Sequence, residues 1–192
     1  MDKNKPIISI SLLIIAVLVS FSDIDVLLLE TIENTRTSGL NTFFTIFTHF
    51  GSYRFLVPFG LIVFLIFKNK SFRLPLSFGI LFASIFNTLL KYIVSRPRPN
   101  LAPLMEYTSY SFPSGHTMVN ATFMYFLYKY LLNENKNFIP LLLLYSLLMG
   151  YSRLYLGVHY PSDIIGGYSA AFFFATIFDY FYEKRVKSSN QN

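Results

Sequence analysis

Three short segments hold the groups in this chain that could do chemistry. Lys91 is followed by Arg98, then comes Pro113-Ser114-Gly115-His116, then Ser152-Arg153 with His159 and Asp163 close behind. Three cations, two imidazoles and one carboxylate can together bind a phosphate and break its ester. Cations match phosphoryl oxygens, an imidazole can attack or shuttle a proton, and a carboxylate fixes an imidazole's tautomer.

Each segment also has a plain structural reading. Pro113 and Ser114 suit the start of a helix, since proline fits the first turn and serine caps it. Gly115 lets backbone approach a ligand, and free amides at a helix start attract anions. Taken alone, this is an ordinary helix start. Arg153 ends an apolar run, where a cation suits the negative end of a helix. His159 and Asp163 are four residues apart across Pro161. If Pro161 opens a helix, Asp163 falls in its first turn and can reach back to the His159 ring. Lys91 closes another apolar run, and Arg96-Pro97-Arg98-Pro99 leaves it as a stiff segment. Arg96 competes with Arg98 there, because both precede a proline.

These groups sit in an unusual chain. Of 192 residues, 53% are hydrophobic and only 14% charged, well below the roughly 25% of a soluble domain. There is no cysteine, so neither a disulfide nor thiolate chemistry is open to it. The net charge of +6 is spread in short caps between apolar runs. That pattern excludes a nucleic-acid-binding face and suits a membrane protein. The apolar runs are Ile7–Phe21, Phe55–Phe67, Leu74–Val94, Thr117–Leu132, Phe138–Tyr155 and Ile164–Tyr182. A spanning helix needs about 20 residues. The expected fold is therefore all-α, one membrane domain over residues 1–192 with six transmembrane helices.

The first run follows Lys3 and Lys5 but lacks an Ala-x-Ala-like site, and reads as an uncleaved anchor rather than a signal peptide. Residues Asp23–Arg54 mix polar and apolar positions, as expected of two short interfacial helices. The polar tail after Glu183 is expected to be disordered. With both termini cytoplasmic, the inner segments hold ten lysines and arginines: Lys3, Lys5, Lys68, Lys70, Arg73, Lys129, Lys136, Lys184, Arg185 and Lys187. The outer segments hold six: Arg36, Arg54, Lys91, Arg96, Arg98 and Arg153. The positive-inside bias selects this orientation and puts all three motif segments on the outer face.

Together the segments resemble the phosphatidic acid phosphatase type 2 superfamily. Its pattern is Lys-x6-Arg-Pro, Pro-Ser-Gly-His and Ser-Arg-x5-His-x3-Asp. Here Lys91, Arg98 and Pro99 fill the first, residues 113–116 the second, and Ser152, Arg153, His159 and Asp163 the third. The spacing selects Arg98 over Arg96, and the likeness covers about residues 50–180. The resemblance implies a metal-free, cofactor-free, two-step mechanism. His159 attacks phosphorus to form a phosphohistidine, Asp163 orients it, and His116 protonates the leaving oxygen and then activates water. Lys91, Arg98, Arg153 and the amides near Ser114 and Gly115 bind the phosphate. The absence of an Asp/Glu cluster with metal-ligand spacing agrees with that. The resemblance also implies a lipid phosphate or diphosphate as substrate, with undecaprenyl diphosphate and phosphatidylglycerol phosphate the leading candidates, at a bacterial plasma membrane.

Two other classes stay open on sequence alone: a lipid phosphotransferase using the same residues, and a catalytically silent membrane scaffold or transport protein. The vanadium haloperoxidases share the site pattern but are soluble, which the apolar runs oppose. Outside the motifs, His49 reads as an interfacial or packing residue. Asn87 reads as an interhelical hydrogen-bond former, and Asp179 and Glu183 as partners of Lys184 and Arg185. Glu106, Tyr107 and Tyr110 are candidates for a substrate entrance.

Overall fold

The computed structural model describes residues 4–20, 22–134 and 138–189. Of the residues singled out above, Lys3, Phe21 and Lys136 lie outside this set, as do the side chains of Lys5, Glu183, Arg185 and Lys187. Among the described residues there are eight α-helices, one 3-10 turn at Thr48–Gly51, and no strand. The helices are α1 (Asn4–Val19), α2 (Ile24–Glu33), α3 (Ser38–Phe47), α4 (Tyr53–Ile66), α5 (Lys70–Val94), α6 (Gly115–Asn133), α7 (Ile139–Tyr155) and α8 (Pro161–Ser189).

The expected elements form, but not as six plain spans. By length and apolarity, α5 and the Pro161–Tyr182 part of α8 can cross a membrane. The α1–α2 pair and the pair formed by residues 38–51 and α4 qualify only as bent units, with bends of 83° and 43°. α7 is apolar but has only 17 residues. α6 is long enough at 19 residues but carries His116, Asn120, Lys129 and several tyrosines, which dilute its apolarity. The two short helices expected between the first runs are α2 and α3. The expectation of a disordered tail after Glu183 is corrected for residues 184–189, which belong to α8, while residues 190–192 lie outside the described residues.

Burial is inverted relative to a soluble domain. Leu65, Ile93 and Leu147 are 68%, 68% and 62% exposed, while Arg153 and Asp163 are fully enclosed and His159 is 1% exposed. Large apolar side chains facing outward over several helices, with charge held inside, suit a lipid surround. The core between α4, α5, α6 and α8 is apolar, built on Leu56, Leu76, Ile80, Val119 and Phe126. At the end away from the motifs, Asp179 of α8 pairs with Lys129 of α6 at 2.7 Å and accepts from Tyr125. This corrects the partners expected for Asp179.

Local sequence explains how the helix ends present the motif residues. α5 stops because Ser95 takes a left-handed conformation (φ 51°), after which the two prolines hold residues 96–99 off the helical path. α6 starts where the Ser114 hydroxyl accepts from Thr117 N–H at 3.4 Å. Between α7 and α8 the chain turns at Gly157 (φ 69°), where a Cβ would collide with Arg36 Nη2. Only glycine suits that backbone and that space. The turn delivers His159, and Pro161 then opens α8 with Asp163 in its first turn.

Candidate active site

His159 is the centre of the arrangement. Its Nδ1 lies 3.2 Å from Asp163 Oδ2 and 3.3 Å from Ser111 Oγ. Its Nε2 faces Arg98 Nη1 at 3.2 Å. Asp163 is saturated with donors. Oδ2 also accepts from the Ser111 hydroxyl and from Tyr160 N–H at 2.9 Å, and Oδ1 accepts from Arg96 Nη1 at 2.7 Å. A buried carboxylate persists only when paired in this way, and removing one partner of such a pair costs about 3–5 kcal/mol.

Burial comes first in holding the His159 imidazole well below its ordinary value. The Arg98, Lys91, Arg153 and Arg96 cations push in the same direction. The ring is therefore neutral at neutral pH, with a lone pair to offer.

The cations surround this ring from three elements. Lys91, near the end of α5, donates from Nζ to the Tyr110 carbonyl and to the Ser111 carbonyl at 3.0 Å. Arg98 is locked by four further bonds: to the carbonyls of Ser109, Val158 and Tyr110 and to the Ser109 hydroxyl. Burial, then the nearby Arg153 cation, push its guanidinium down to about 10, still charged at neutral pH. Arg153 is fully buried and donates to Thr48 Oγ1, while its Nε and Nη2 have no partner among the described residues.

Tyr107 ties these groups together. Arg98 and Arg153 lie 4.7 and 5.0 Å from its ring centroid, and the His116 ring meets it edge-on at 6.2 Å. His116 lines the same cavity as His159. That cavity, of about 810 Å³, is also lined by Lys91, Arg98 and Gly115, and it runs along α5 past Thr88 and Ser84 to Leu81. A polar head and an apolar channel are thus continuous.

The Pro-Ser-Gly-His segment is fastened rather than free. Ser114 donates its amide to the Asp163 carbonyl at 3.0 Å and uses its hydroxyl as the α6 cap. The expectation that the Ser114 amide faces a phosphate is therefore corrected. Gly115, the first residue of α6, keeps an N–H outside the intrahelical pattern. A Cβ there would sit 2.8 Å from Asn87 Oδ1, so glycine lets Asn87 reach the Pro113 carbonyl at 3.2 Å.

The structure thus brings all eight sequence-selected residues to one end of the helices. It also adds Ser111, and it gives Tyr107 and Arg96, noted above in other roles, definite places, Arg96 as a partner of Asp163. Tyr107 and Tyr110 line the cavity, while Glu106 is exposed and outside the lining; His49 also stands exposed and apart. Among the described residues there is no group of three or more His, Asp or Glu side chains that could hold a metal ion.

Known proteins share this plan. Residues 72–187 match the PAP2 superfamily. The chain is 36% identical over 149 residues to phosphatidylglycerophosphatase B of Bacillus subtilis, covering 70% of this chain and 71% of the relative. It is 27% identical over 147 residues to undecaprenyl-diphosphatase of Sulfolobus acidocaldarius, covering 73% and 70%. The crystal structure of a transmembrane PAP2 type phosphatidylglycerolphosphate phosphatase from Bacillus subtilis aligns with a TM-score of 0.83 at 29% identity, over 94% of this chain and 97% of that one. A family pattern over more than half the chain, a close relative and a near-complete structural match agree with the cationic pocket around His159: the chain belongs to the PAP2 superfamily, as a membrane enzyme of the lipid phosphatase type.

Proposed function

We propose that this enzyme hydrolyses a phosphate monoester or diphosphate of a membrane lipid through a phosphohistidine, without a metal. The observation that carries the reading is the His159 ring, held at Nδ1 by Asp163 and turned at Nε2 toward Arg98. Nε2 attacks phosphorus as the ester P–O bond breaks, and His116 gives its proton to the leaving oxygen. Water then attacks the phosphohistidine, loses a proton to His116, and the P–N bond breaks to restore His159. Lys91, Arg98, Arg153 and the Gly115 amide hold the phosphoryl oxygens, replacing the positive charge that a metal would supply. Asp163 stabilises the imidazolium character that develops at His159 during attack.

The names of the relatives point to phosphatidylglycerol phosphate or undecaprenyl diphosphate as substrate. The apolar continuation of the cavity along α5 accommodates a lipid chain beside its headgroup. In this reading six helical segments span a bacterial plasma membrane, α1 and α4–α8, with both termini cytoplasmic and the site at the outer leaflet. Shortness of α7 and polarity of α6 are compatible with spanning when neighbours cover them.

The test is phosphate release by purified protein in detergent from phosphatidylglycerol phosphate, undecaprenyl diphosphate and phosphatidic acid, with and without a strong chelator. Turnover of at least one lipid, unchanged by chelator, is expected. Loss of activity in chelator with recovery on adding Mg²⁺ would sink the metal-free mechanism.

A further inference from the structure

A second carboxylate stands behind the His159–Asp163 pair and comes from a part of the chain outside the matched residues 72–187. Asp25, in the first turn of α2, is 1% exposed. Its Oδ1 accepts from Ser162 N–H at 2.9 Å. Its Oδ2 accepts from Arg96 Nη2 at 2.8 Å and from the Ser162 hydroxyl. Arg96 in turn sends Nη1 to Ser162 Oγ at 2.8 Å and to Asp163 Oδ1 at 2.7 Å, and its guanidinium lies 3.9 Å from the Tyr160 ring centroid. One part-buried guanidinium thus bridges two buried carboxylates, and Asp25 accepts amide and hydroxyl bonds from the first turn of α8.

We propose that Asp25 is a positioning residue for the reaction, acting through Arg96 and Ser162 to hold Asp163 against His159. The inference rests on His159 being the nucleophile. Its physical basis is charge sharing. With two carboxylates on it, Arg96 draws only part of its field from Asp163, which keeps its charge for the imidazole. With Asp25 neutral, the whole guanidinium charge falls on Asp163 and opposes the support that Asp163 gives the attacking ring. The amide and hydroxyl of Ser162 then also lose their charged acceptor, so the start of α8, which carries Asp163, is less firmly held. The effect falls on the chemical step and spares the cations that bind phosphate.

Steady-state kinetics on phosphatidylglycerol phosphate in detergent micelles tests this, using full-length wild type, Asp25→Asn, Arg96→Gln, the double variant, Ser162→Ala and His159→Ala. Asp25→Asn is expected to lower kcat at least tenfold with KM within twofold, and to cost clearly less in the Arg96→Gln background, where only its bonds from Ser162 remain to be lost. His159→Ala is expected to be inactive. If Asp25→Asn elutes as wild type yet keeps kcat within twofold, or if its loss adds in full to that of Arg96→Gln, the proposal is overturned while the nucleophile stands. If Asp25→Asn does not fold, Ser162→Ala decides: a kcat loss of threefold or more with KM unchanged supports it, and wild-type kcat overturns it. Turnover by His159→Ala would remove the nucleophile and this inference together.

Discussion

Arg98 Nη1 lies 3.2 Å from His159 Nε2, and a guanidinium can only donate a hydrogen bond. Nε2 must therefore be the acceptor, so the ring proton sits on Nδ1, facing Asp163 Oδ2 at 3.2 Å. The partners alone assign the tautomer. The same Arg98 that fixes the lone pair also points where a phosphoryl oxygen must go for that lone pair to attack.

The two histidines separate by leaving group. His159→Ala is expected to abolish phosphate release from every substrate. His116→Ala is expected to cost about 10²–10⁴-fold on an alkyl phosphate lipid and far less on an aryl phosphate, whose leaving oxygen needs little protonation. Initial rates of both variants on both substrates check this. Equal losses by His116→Ala on the two would remove it from the role of leaving-group acid.

The acid limb of activity should move when Arg98 is neutralised. Burial, followed by the Arg98 and Lys91 cations, holds His159 below its ordinary value, so the neutral imidazole persists into mildly acidic solution. Taking away a cation makes the imidazolium easier to form and raises that value. Arg98→Gln is thus expected to shift the acid limb of kcat/KM upward, besides weakening substrate binding. Comparison with wild type on one substrate cancels the ionisation of the substrate itself, and an unmoved limb would contradict the assignment.

Tyr107 should matter through its ring rather than its hydroxyl. Its face lies within reach of Arg98 and Arg153 and its ring meets His116 edge-on. A partly desolvated cation–π contact contributes about 1–2 kcal/mol. Tyr107→Leu is expected to lower kcat/KM by about 5–30-fold, while Tyr107→Phe stays within about twofold of wild type. Equal losses in the two variants would assign the effect to the hydroxyl.

Orientation is checked without any enzymology. A reporter fused at Asn192 is expected to read as cytoplasmic, and a tag in the loop of residues 101–110 to be reached from outside intact cells. A protected loop tag would reverse the topology inferred from the lysine and arginine counts.

Much of the site is legible in the order of residues along the chain, for a specific reason. Lys91, His116 and Asp163 lie at helix ends, with Arg98 and His159 just beyond the ends of α5 and α7. Within each short segment spacing along the chain is close to spacing in the fold, and the resemblance to a family pattern joins segments whose groups, such as Arg98 and His159, meet across 61 positions. His159 and Asp163 illustrate the short-range case, since the turn through Pro161 folds four residues into one contact. Arg96 can be told apart from Arg98 by spacing, but its task cannot, because its second partner Asp25 is 71 positions away. Ser111 and Asp25 are illegible for the same reason: each is one polar residue whose meaning arises only when distant helices close around it. The bends after Val19 and before Tyr53 are also hidden, because apolar runs report composition and composition does not register a change of direction.

The tetrapeptide Arg96-Pro97-Arg98-Pro99 serves both ends of one imidazole. Arg96 grips the carboxylate behind Nδ1, and Arg98 faces Nε2. Two stiff residues make it a molecular ruler, with a length matched to the His159–Asp163 pair. One inserted residue would displace a side chain by about 3.3 Å along an extended chain, as much as the Arg98–His159 contact itself. Both its length and its stiffness are therefore constrained, and insertions that surface loops absorb would here separate the two cations from the imidazole they flank.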